Sequence, residues 1–497
     1  MNLRNELNKW FGYKDFRQGQ EEVIQSVLKG KDTIAMLPTG TGKSLCYQLP
    51  AYITGGTVLV ISPLLSLMQD QVEHMKVMGE KKAAALNSFL DFREKNYLLN
   101  NLGKFRFIFI SPEMLMGEKV IEKLKRITVS LFVVDEAHCI SQWGHDFRPD
   151  YQRLGEVRKL LGSPVTLALT ATGNAEVRED IKDILRMKDS QEIVYSADRP
   201  NISLSITNVS SYHDKMERLL EYVSAFQNPG IIYFSSKKMA EETAVWLKQN
   251  GLHKTSFYHG GMEQEQRILI QQQFLHGQLD IICATSAFGM GINKPDIRFV
   301  IHFHLPASAE AYLQEVGRAG RDGESSIAML LYSPGDEGLL YQMIDNEMPS
   351  DFQIEEYFKQ AGIKADQELM DLLGLNEIHF RFLSFYNQVY INRTRDSVPD
   401  AGNAASFVKR IRDVRMENKR MKIGLMAGWA MEDGCRRKGI LEMFGEEPRE
   451  LQEKCCDSCG LDYREFKGNL FPDTPAENSF TWEEQLRNML LNSVYEK

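Results

Sequence analysis

Short, uninterrupted apolar runs recur along this chain between helical patterns, and they do so in two separate stretches. In the first, Asp32-Thr-Ile-Ala-Met-Leu-Pro, Thr57-Val-Leu-Val-Ile-Ser-Pro, Phe105-Arg-Phe-Ile-Phe-Ile-Ser-Pro, Leu131-Phe-Val-Val-Asp-Glu and Val165-Thr-Leu-Ala-Leu-Thr follow one another. In the second come Gly230-Ile-Ile-Tyr-Phe, Thr255-Ser-Phe-Tyr, Asp280-Ile-Ile-Cys-Ala, Arg298-Phe-Val-Ile-His-Phe and Ile327-Ala-Met-Leu-Leu-Tyr. A strand without polar alternation is buried on both faces, which points to parallel sheets covered by helices on either side. Ten such strands would strain one open twisted sheet, so two α/β units are expected. Asp198-Arg-Pro-Asn-Ile-Ser is the expected connection, with Pro200 ending any helix that leads into it. After about residue 337 the pattern turns helical. There the Gly374 break suits a helix-turn-helix or two ordinary packed helices, and residues 396–406 read as a surface loop.

The first chemistry follows the first run. Pro38-Thr39-Gly40-Thr41-Gly42-Lys43-Ser44 lies between a strand and a helical pattern, the setting a phosphate-binding loop requires. Backbone N–H groups and the helix N-terminus can cradle phosphate oxygens, Lys43 adds a point charge, and the Ser44 hydroxyl reaches Mg²⁺. Leu37 stands where the longer form of this loop has its first glycine, so Pro38-Thr39 marks a shortened variant. Val133-Val-Asp135-Glu136-Ala-His138 then delivers two carboxylates to the end of a buried strand, where open parallel sheets bind ligands. Asp135 suits Mg²⁺, and Glu136 suits polarising a water for attack on the γ-phosphate. ATP hydrolysis is therefore expected, and not binding alone. In the second stretch, Gly317-Arg318-Ala-Gly-Arg321 carries two arginines three apart, expected on one helical face. Such a guanidinium can act as an arginine finger on transition-state charge, which would make hydrolysis depend on closure of the two units.

Taken in order, Pro-Thr-Gly-Thr-Gly-Lys-Ser, Asp-Glu-Ala-His, Leu169-Thr-Ala-Thr172 and Gly-Arg-Ala-Gly-Arg resemble the motifs of superfamily 2 helicases. Two further segments narrow the resemblance to the RecQ family of DNA helicases: Phe11-Gly-Tyr13-Lys-Asp-Phe16-Arg17-Gln-Gly-Gln20 and Cys139-Ile-Ser-Gln-Trp143-Gly-His145-Asp-Phe147-Arg148-Pro-Asp-Tyr151. The resemblance runs from about residue 8 to 462. It implies an α/β fold of two tandem RecA-like parallel-sheet domains, 1–197 and 198–336, followed by a mainly helical zinc-binding module over 337–465 and a C-terminal tail from 466 to 497. It also assigns Tyr13 to stacking on the adenine, Arg17 and Gln20 to polar contacts with it, and a 3′→5′ direction to the motor.

Residues 139–151 have physical content of their own. Trp143, Phe147 and Tyr151 alternate with His145 and Arg148; aromatic faces stack on unpaired bases at about 1–3 kcal/mol each, and arginine neutralises phosphate. A loop that touches both a DNA strand and Glu136 would couple DNA binding to hydrolysis, as the resemblance implies. Ser62, Asn87 and Ser88 sit at predicted strand ends and offer donors for phosphates. Ser235-Ser236-Lys237, His259-Gly-Gly and Thr285-Ser-Ala-Phe288-Gly-Met-Gly291-Ile-Asn293 match the corresponding family segments.

Four of the seven cysteines, Cys435, Cys455, Cys456 and Cys459, fall close together near the C-terminus. Four thiolates can close a tetrahedral Zn²⁺ site; free buried thiols or a redox pair are the alternatives. The adjacent pair Cys455-Cys456 departs from the family spacing and puts the place of Cys455 among the ligands in question. The formal charge of −9 argues on composition alone against a nucleic-acid binder. Residues 409–422 nevertheless hold a net +5, a candidate grip on duplex phosphates. About 60 residues between 345 and 410 look inserted relative to the family, and the 38 residues after Cys459 are too few for its winged-helix and helical DNA-binding domains. Neither a secretory signal nor the roughly 18-residue apolar window of a membrane span is found. The expectation is a cytoplasmic, monomeric protein, nucleoid-associated if bacterial, that uses ATP, Mg²⁺ and Zn²⁺ on single-stranded and forked DNA and leaves room for a single-strand-binding protein as partner. Two alternatives stay open: an RNA-unwinding ATPase of the DEAD/DEAH group, and a DNA-binding or annealing scaffold with a vestigial ATPase.

Overall fold

The computed structural model describes residues 2–63, 65–87, 90–141, 148–289, 294–361, 364–394, 400–447 and 455–468. Its first part is a seven-stranded parallel sheet. The strands are β1 (Thr33–Met36), β2 (Thr57–Ile61), β3 (Ala83–Leu86), β4 (Phe107–Ile110), β5 (Val129–Val134), β6 (Thr166–Thr170) and β7 (Gln191–Val194), in the spatial order β3-β4-β2-β5-β6-β1-β7. Two apolar clusters cover its faces, one around Ile34, Ile61, Phe132 and Ala168, the other around Val58, Phe107, Val133 and Leu167. Neighbouring residues of one strand fall in opposite clusters, which is why these runs carry no polar alternation. The order sets β5, β6 and β1 side by side, so the loops leaving their carboxyl ends meet at one edge.

The second sheet has six parallel strands, β8 (Ile202–Asn208), β9 (Gly230–Tyr233), β10 (Thr255–Tyr258), β11 (Ile281–Ala284), β12 (Phe299–His302) and β13 (Ser326–Tyr332), ordered β10-β11-β9-β12-β13-β8. Three strands, β3, β7 and β8, lie outside the apolar runs, and each has a physical reason. All three are edge strands. β7 buries only Ile193 and β8 alternates buried Ile202, Leu204 and Ile206 with polar residues, while β3 is Ala-Ala-Ala-Leu, a poor strand former on propensity. The connection between the sheets therefore runs from strand to strand over residues 195–201, and Pro200 ends no helix.

The remainder is helical. The helices Asp351–Gln360, Asp366–Leu373 and Glu377–Thr394 enclose a core of their own with the start of the long helix Ala401–Met431, built on Ile354, Tyr357, Leu383, Tyr386 and Val408. The expected loop at 396–406 is corrected from residue 401 onward, because Asp400 caps that helix by accepting the Asn403 N–H at 2.7 Å; residues 396–399 lie outside the described ones. The basic run on the long helix is also not an open phosphate grip. Lys409 pairs with Asp351 and Glu355, Arg412 with Asp351 and Asp413, Lys419 with Glu347, Arg420 with Asp345 and Lys422 with Glu310, while Arg415 lies 5.6 Å from the Phe382 ring centre. Counting charge along one helix misses the carboxylates that neighbouring helices bring across to it.

The far end of the long helix enters the core of the second sheet. Trp429 is 2% exposed, lies 5.1 Å from the Tyr312 ring and donates its indole N–H to the Arg436 carbonyl at 3.0 Å. Replacing it with alanine should cost about 3–5 kcal/mol, read as a lower denaturation midpoint in urea; a loss below about 1 kcal/mol would show that the helix end is not part of that core.

Candidate active site and metal centre

β1 ends at Met36, and the chain turns at Gly40 (φ +88°) and Gly42 (φ +75°), conformations that glycine alone adopts without strain. The helix Leu45–Thr54 follows, with Ser44 at its N-cap making no side-chain cap bond. Arg17 and Gln20, expected at the adenine, bond to this loop: Arg17 Nη1 donates to the Gly40 carbonyl at 2.6 Å, and Gln20 Nε2 to those of Thr41 (2.6 Å) and Gly42 (3.1 Å). Thr41 Oγ1 in turn donates to the Pro38 carbonyl at 2.8 Å. Tyr13 is 58% exposed with its ring parallel to that of Phe11, which leaves a face open for stacking.

Asp135 continues the line of β5, its N–H donating to the Ile61 carbonyl at 2.8 Å. Glu136 then adopts a left-handed conformation (φ +47°, ψ +50°) and donates its N–H to Asp135 Oδ1 at 3.0 Å. A non-glycine residue held there stores roughly 1–3 kcal/mol of strain, characteristic of a functional turn. Burial, with the Glu136 charge beside it, pushes the Asp135 carboxyl up to about 7 against the pull of Lys43. Two adjacent carboxylates in so dry a place suit a divalent cation, which offsets both their burial and their mutual repulsion. His138 Nδ1 lies 3.5 Å from Glu136 Oε2 and 3.0 Å from Thr170 Oγ1, which donates to the Thr172 carbonyl at 2.6 Å. The Asp-Glu-Ala-His turn and the Leu-Thr-Ala-Thr segment are thus joined through one imidazole.

Arg318 and Arg321 do not share a helical face. The helix Ala309–Val316 stops short of them, and residues 317–321 form successive turns with Gly320 at φ +52°. Side chains would block the approaches that the glycines permit: a Cβ on Gly317 would meet Thr39 Cβ at 2.9 Å, and one on Gly40 would meet Arg321 Cγ at 3.0 Å. Arg318 is buried and donates to the Gly289 carbonyl. Burial, followed by the nearby Arg318 and Arg199 charges, draws Arg321 down to about 9. An anion at the phosphate loop would satisfy that desolvated charge.

Among the DNA candidates, Tyr151 is fully buried and donates its hydroxyl to the Asp135 carbonyl at 3.2 Å, so its ring has no face to offer a base. Alternating aromatic residues did not reveal which of them turned inward. Arg148 Nη1 donates to the Pro63 carbonyl at 2.7 Å, and Ser62 and Asn87 are both 1% exposed. Ser88, Trp143, His145 and Phe147 lie outside the described residues, as do Gly291 and Asn293. The flanks of 142–147 are pinned, with Ser141 Oγ donating to Asp180 at 2.5 Å and Gln152 to the Ile140 carbonyl at 2.5 Å. Sequence reasoning missed Arg199, whose contacts join the two sheets, and Asn201 and Arg437, which hold the connection against the second domain and the cysteine segment. Only an Asp-Arg pair inside a very short connection hinted at the first.

The four thiols of Cys435, Cys455, Cys456 and Cys459 lie within 4.8 Å of one another. The Cys435 sulfur is 3.6 Å from that of Cys455 and 3.9 Å from that of Cys456. Tetrahedral Zn–S bonds of about 2.3 Å require S···S separations of about 3.8 Å, so the donor set fits zinc with Cys455 included. The Arg436 N–H donates to Cys456 Sγ at 3.4 Å, support of the kind that orients metal ligands. Burial opposes ionisation of Cys435, yet the Lys438 N–H and the neighbouring thiols outweigh it and bring this thiol below its ordinary value.

Three family models match in order: DEAD/DEAH box helicase over residues 17–181, helicase conserved C-terminal domain over 214–323, and RecQ zinc-binding over 399–460. A probable ATP-dependent DNA helicase RecS of Bacillus subtilis is 44% identical, the match covering 98% of this chain and 97% of the relative. An ATP-dependent DNA helicase RecQ of Pasteurella multocida is 42% identical over 68% of this chain and 53% of its own length. In fold, the chain is similar to Mycobacterium smegmatis helicase Lhr bound to single-stranded DNA and AMP-PNP, at TM-score 0.56 and 20% identity, covering 76% of this chain and 57% of that one.

Changing Cys455 to serine should lower bound zinc from one per chain to well below half, measured by atomic emission on dialysed protein, and should lower the melting temperature. Full zinc in C455S would remove Cys455 from the ligand set.

Proposed function

Because this chain belongs to the RecQ family of ATP-dependent DNA helicases, we propose that it couples ATP hydrolysis to 3′→5′ movement along one DNA strand and so opens forked duplexes in recombination and repair. The observation that carries the reading is the convergence of three elements at one cleft. The phosphate loop of the first sheet, the Asp135–Glu136 turn and the arginine turn of the second sheet lie together, with Arg321 packed on Gly40.

In this reading the glycine turns and Lys43 hold the β- and γ-phosphates, with Thr39, Thr41 and Ser44 on the same loop. Ser44 and Asp135 would hold Mg²⁺, which supplies charge neutralisation on the phosphate oxygens when bound. Glu136 orients the attacking water, and its far oxygen faces His138, so the position of this base answers to the Thr170–Thr172 segment. Arg321, with Arg318 behind it, meets charge developing on the transferred phosphoryl group. Tyr13 stacks on the adenine, while Arg17 and Gln20 stiffen the loop beneath it. Strand binding at 142–147 would reach Asp135 through Tyr151 and Pro63 through Arg148.

Steady-state hydrolysis should rise with single-stranded DNA and much less with RNA of equal length, and a 3′-tailed duplex should be opened in preference to a 5′-tailed one. Greater stimulation by RNA, or opening of 5′-tailed duplex alone, would overturn the reading. Glu136→Gln should retain nucleotide binding while kcat falls about 10²–10⁴-fold, and Lys43→Ala should abolish turnover. Strand separation by K43A would sink the assignment.

A further inference from the structure

The connection between the two sheets is not a passive tether. Arg199, within it, directs its guanidinium at backbone carbonyls of both domains. Nη1 donates to Thr39 in the phosphate loop at 2.9 Å and to Gly317 in the arginine turn at 3.3 Å, and Nη2 donates to Gly320 at 2.6 Å and Ala319 at 3.3 Å. Asn201 adds Nδ2 bonds to the carbonyls of Gly320 (2.8 Å) and Glu324 (2.9 Å). Four acceptors on one planar fork are a task for arginine, because a lysine ammonium cannot span two loops with fixed donor directions.

The arginine is itself held from behind. Arg437, 4% exposed and two residues after the zinc-site Cys435, ion-pairs with Asp198 and donates to the carbonyls of Arg199 (3.2 Å) and Ile202 (2.6 Å). The Leu204 N–H donates to the Cys455 carbonyl at 3.1 Å, so the metal-bearing segment and the start of β8 are tied twice.

We infer that Arg199 is a positioning residue for ATP hydrolysis: it fixes the arginine turn against the phosphate loop, and the zinc-bearing segment, through Arg437, fixes Arg199. The inference rests on the reading of Arg321 as the transition-state arginine. A guanidinium that stabilises a transition state must be placed within a fraction of an ångström, and a misplacement near 1 Å costs about a hundred-fold in rate. The phosphate loop and the arginine turn belong to separate sheets with separate cores, so their register depends on contacts such as these. Arg199 hydrogen-bonds one carbonyl of the phosphate loop, that of Thr39, and as a donor occupies none of the loop's N–H groups, which stay available to the nucleotide. Removing it should therefore spare binding and depress the chemical step.

The test compares full-length R199A, R199K, R437Q and R321A, each with saturating single-stranded DNA. It reads kcat and KM for ATP, affinity for a fluorescent ATP analogue, melting temperature and zinc content. R199A should lose on the order of ten- to a hundred-fold in kcat with KM and analogue affinity within about three-fold, and R199K should recover only part of the loss. R437Q should lower kcat in the same direction with zinc retained. Adding R199A to R321A should cost nothing further, since both act on one interaction. Wild-type kcat in R199A beside an inactive R321A would overturn the positioning role. A loss in R199A wholly in KM would do the same. Wild-type kcat in R437Q would overturn the part given to the zinc-bearing segment. Turnover retained in R321A would instead sink the transition-state reading, and this inference with it. Should R199A melt early, R199K carries the same comparison.

Discussion

Everything at the catalytic edge depends on burying strands on both faces. A parallel sheet sandwiched between helices sends every strand in one direction, so all the loops that leave the strands emerge along a single edge. With β5, β6 and β1 adjacent, that edge brings together the phosphate loop, the Asp135–Glu136 turn and the Thr170–Thr172 segment without any of them being close in sequence. The polar chemistry then costs little extra order, because the strands beneath are already rigid. Glu136 can be kept at positive φ and Asp135 kept dry only because the apolar layers below them do not yield.

The second sheet contributes the opposing wall, and the phosphate loop and the arginine turn meet largely through backbone carbonyls, while Gln271 donates to Asp70 at 3.0 Å elsewhere between the domains. Gly40 and Gly317 let the loop and the turn approach, and Arg199 and Asn201 bind carbonyls, which every residue has. Such an interface is sensitive to a Cβ at the glycines and to loss of the Arg199 fork. It also explains how the cysteine segment reaches the motor. Its place beside β8 puts Arg437 on the connection between the sheets, while its apolar residues share a core with Trp429 and Tyr312.

Charge shows the same dependence on what lies opposite. The long helix has a strongly basic run, yet most of it is matched by carboxylates from the helices Glu337–Glu347 and Asp351–Gln360 and from Glu310. Most of these pairs have a partner open to water and are worth little each. Together they orient the neighbouring helices along the long one. The protein's overall charge of −9 therefore gives no measure of its grip on DNA.

The amino-acid sequence alone determined two parallel α/β units, the phosphate loop, the two carboxylates and the cluster of four cysteines, because each is written in local pattern: apolar continuity, glycine spacing, residue type at a strand end. It did not reveal the edge strands β3, β7 and β8, whose weak or alternating patterns lacked the continuous apolar signature. Nor could it show that Tyr151 points inward, that Arg17 and Gln20 lie against the phosphate loop, or that Arg318 and Arg321 leave the helix. Those outcomes, like the reach of Arg199 and Arg437, were decided by which surfaces meet across the fold. Long-range contact depends on packing between elements far apart in the chain, and no local pattern encodes it.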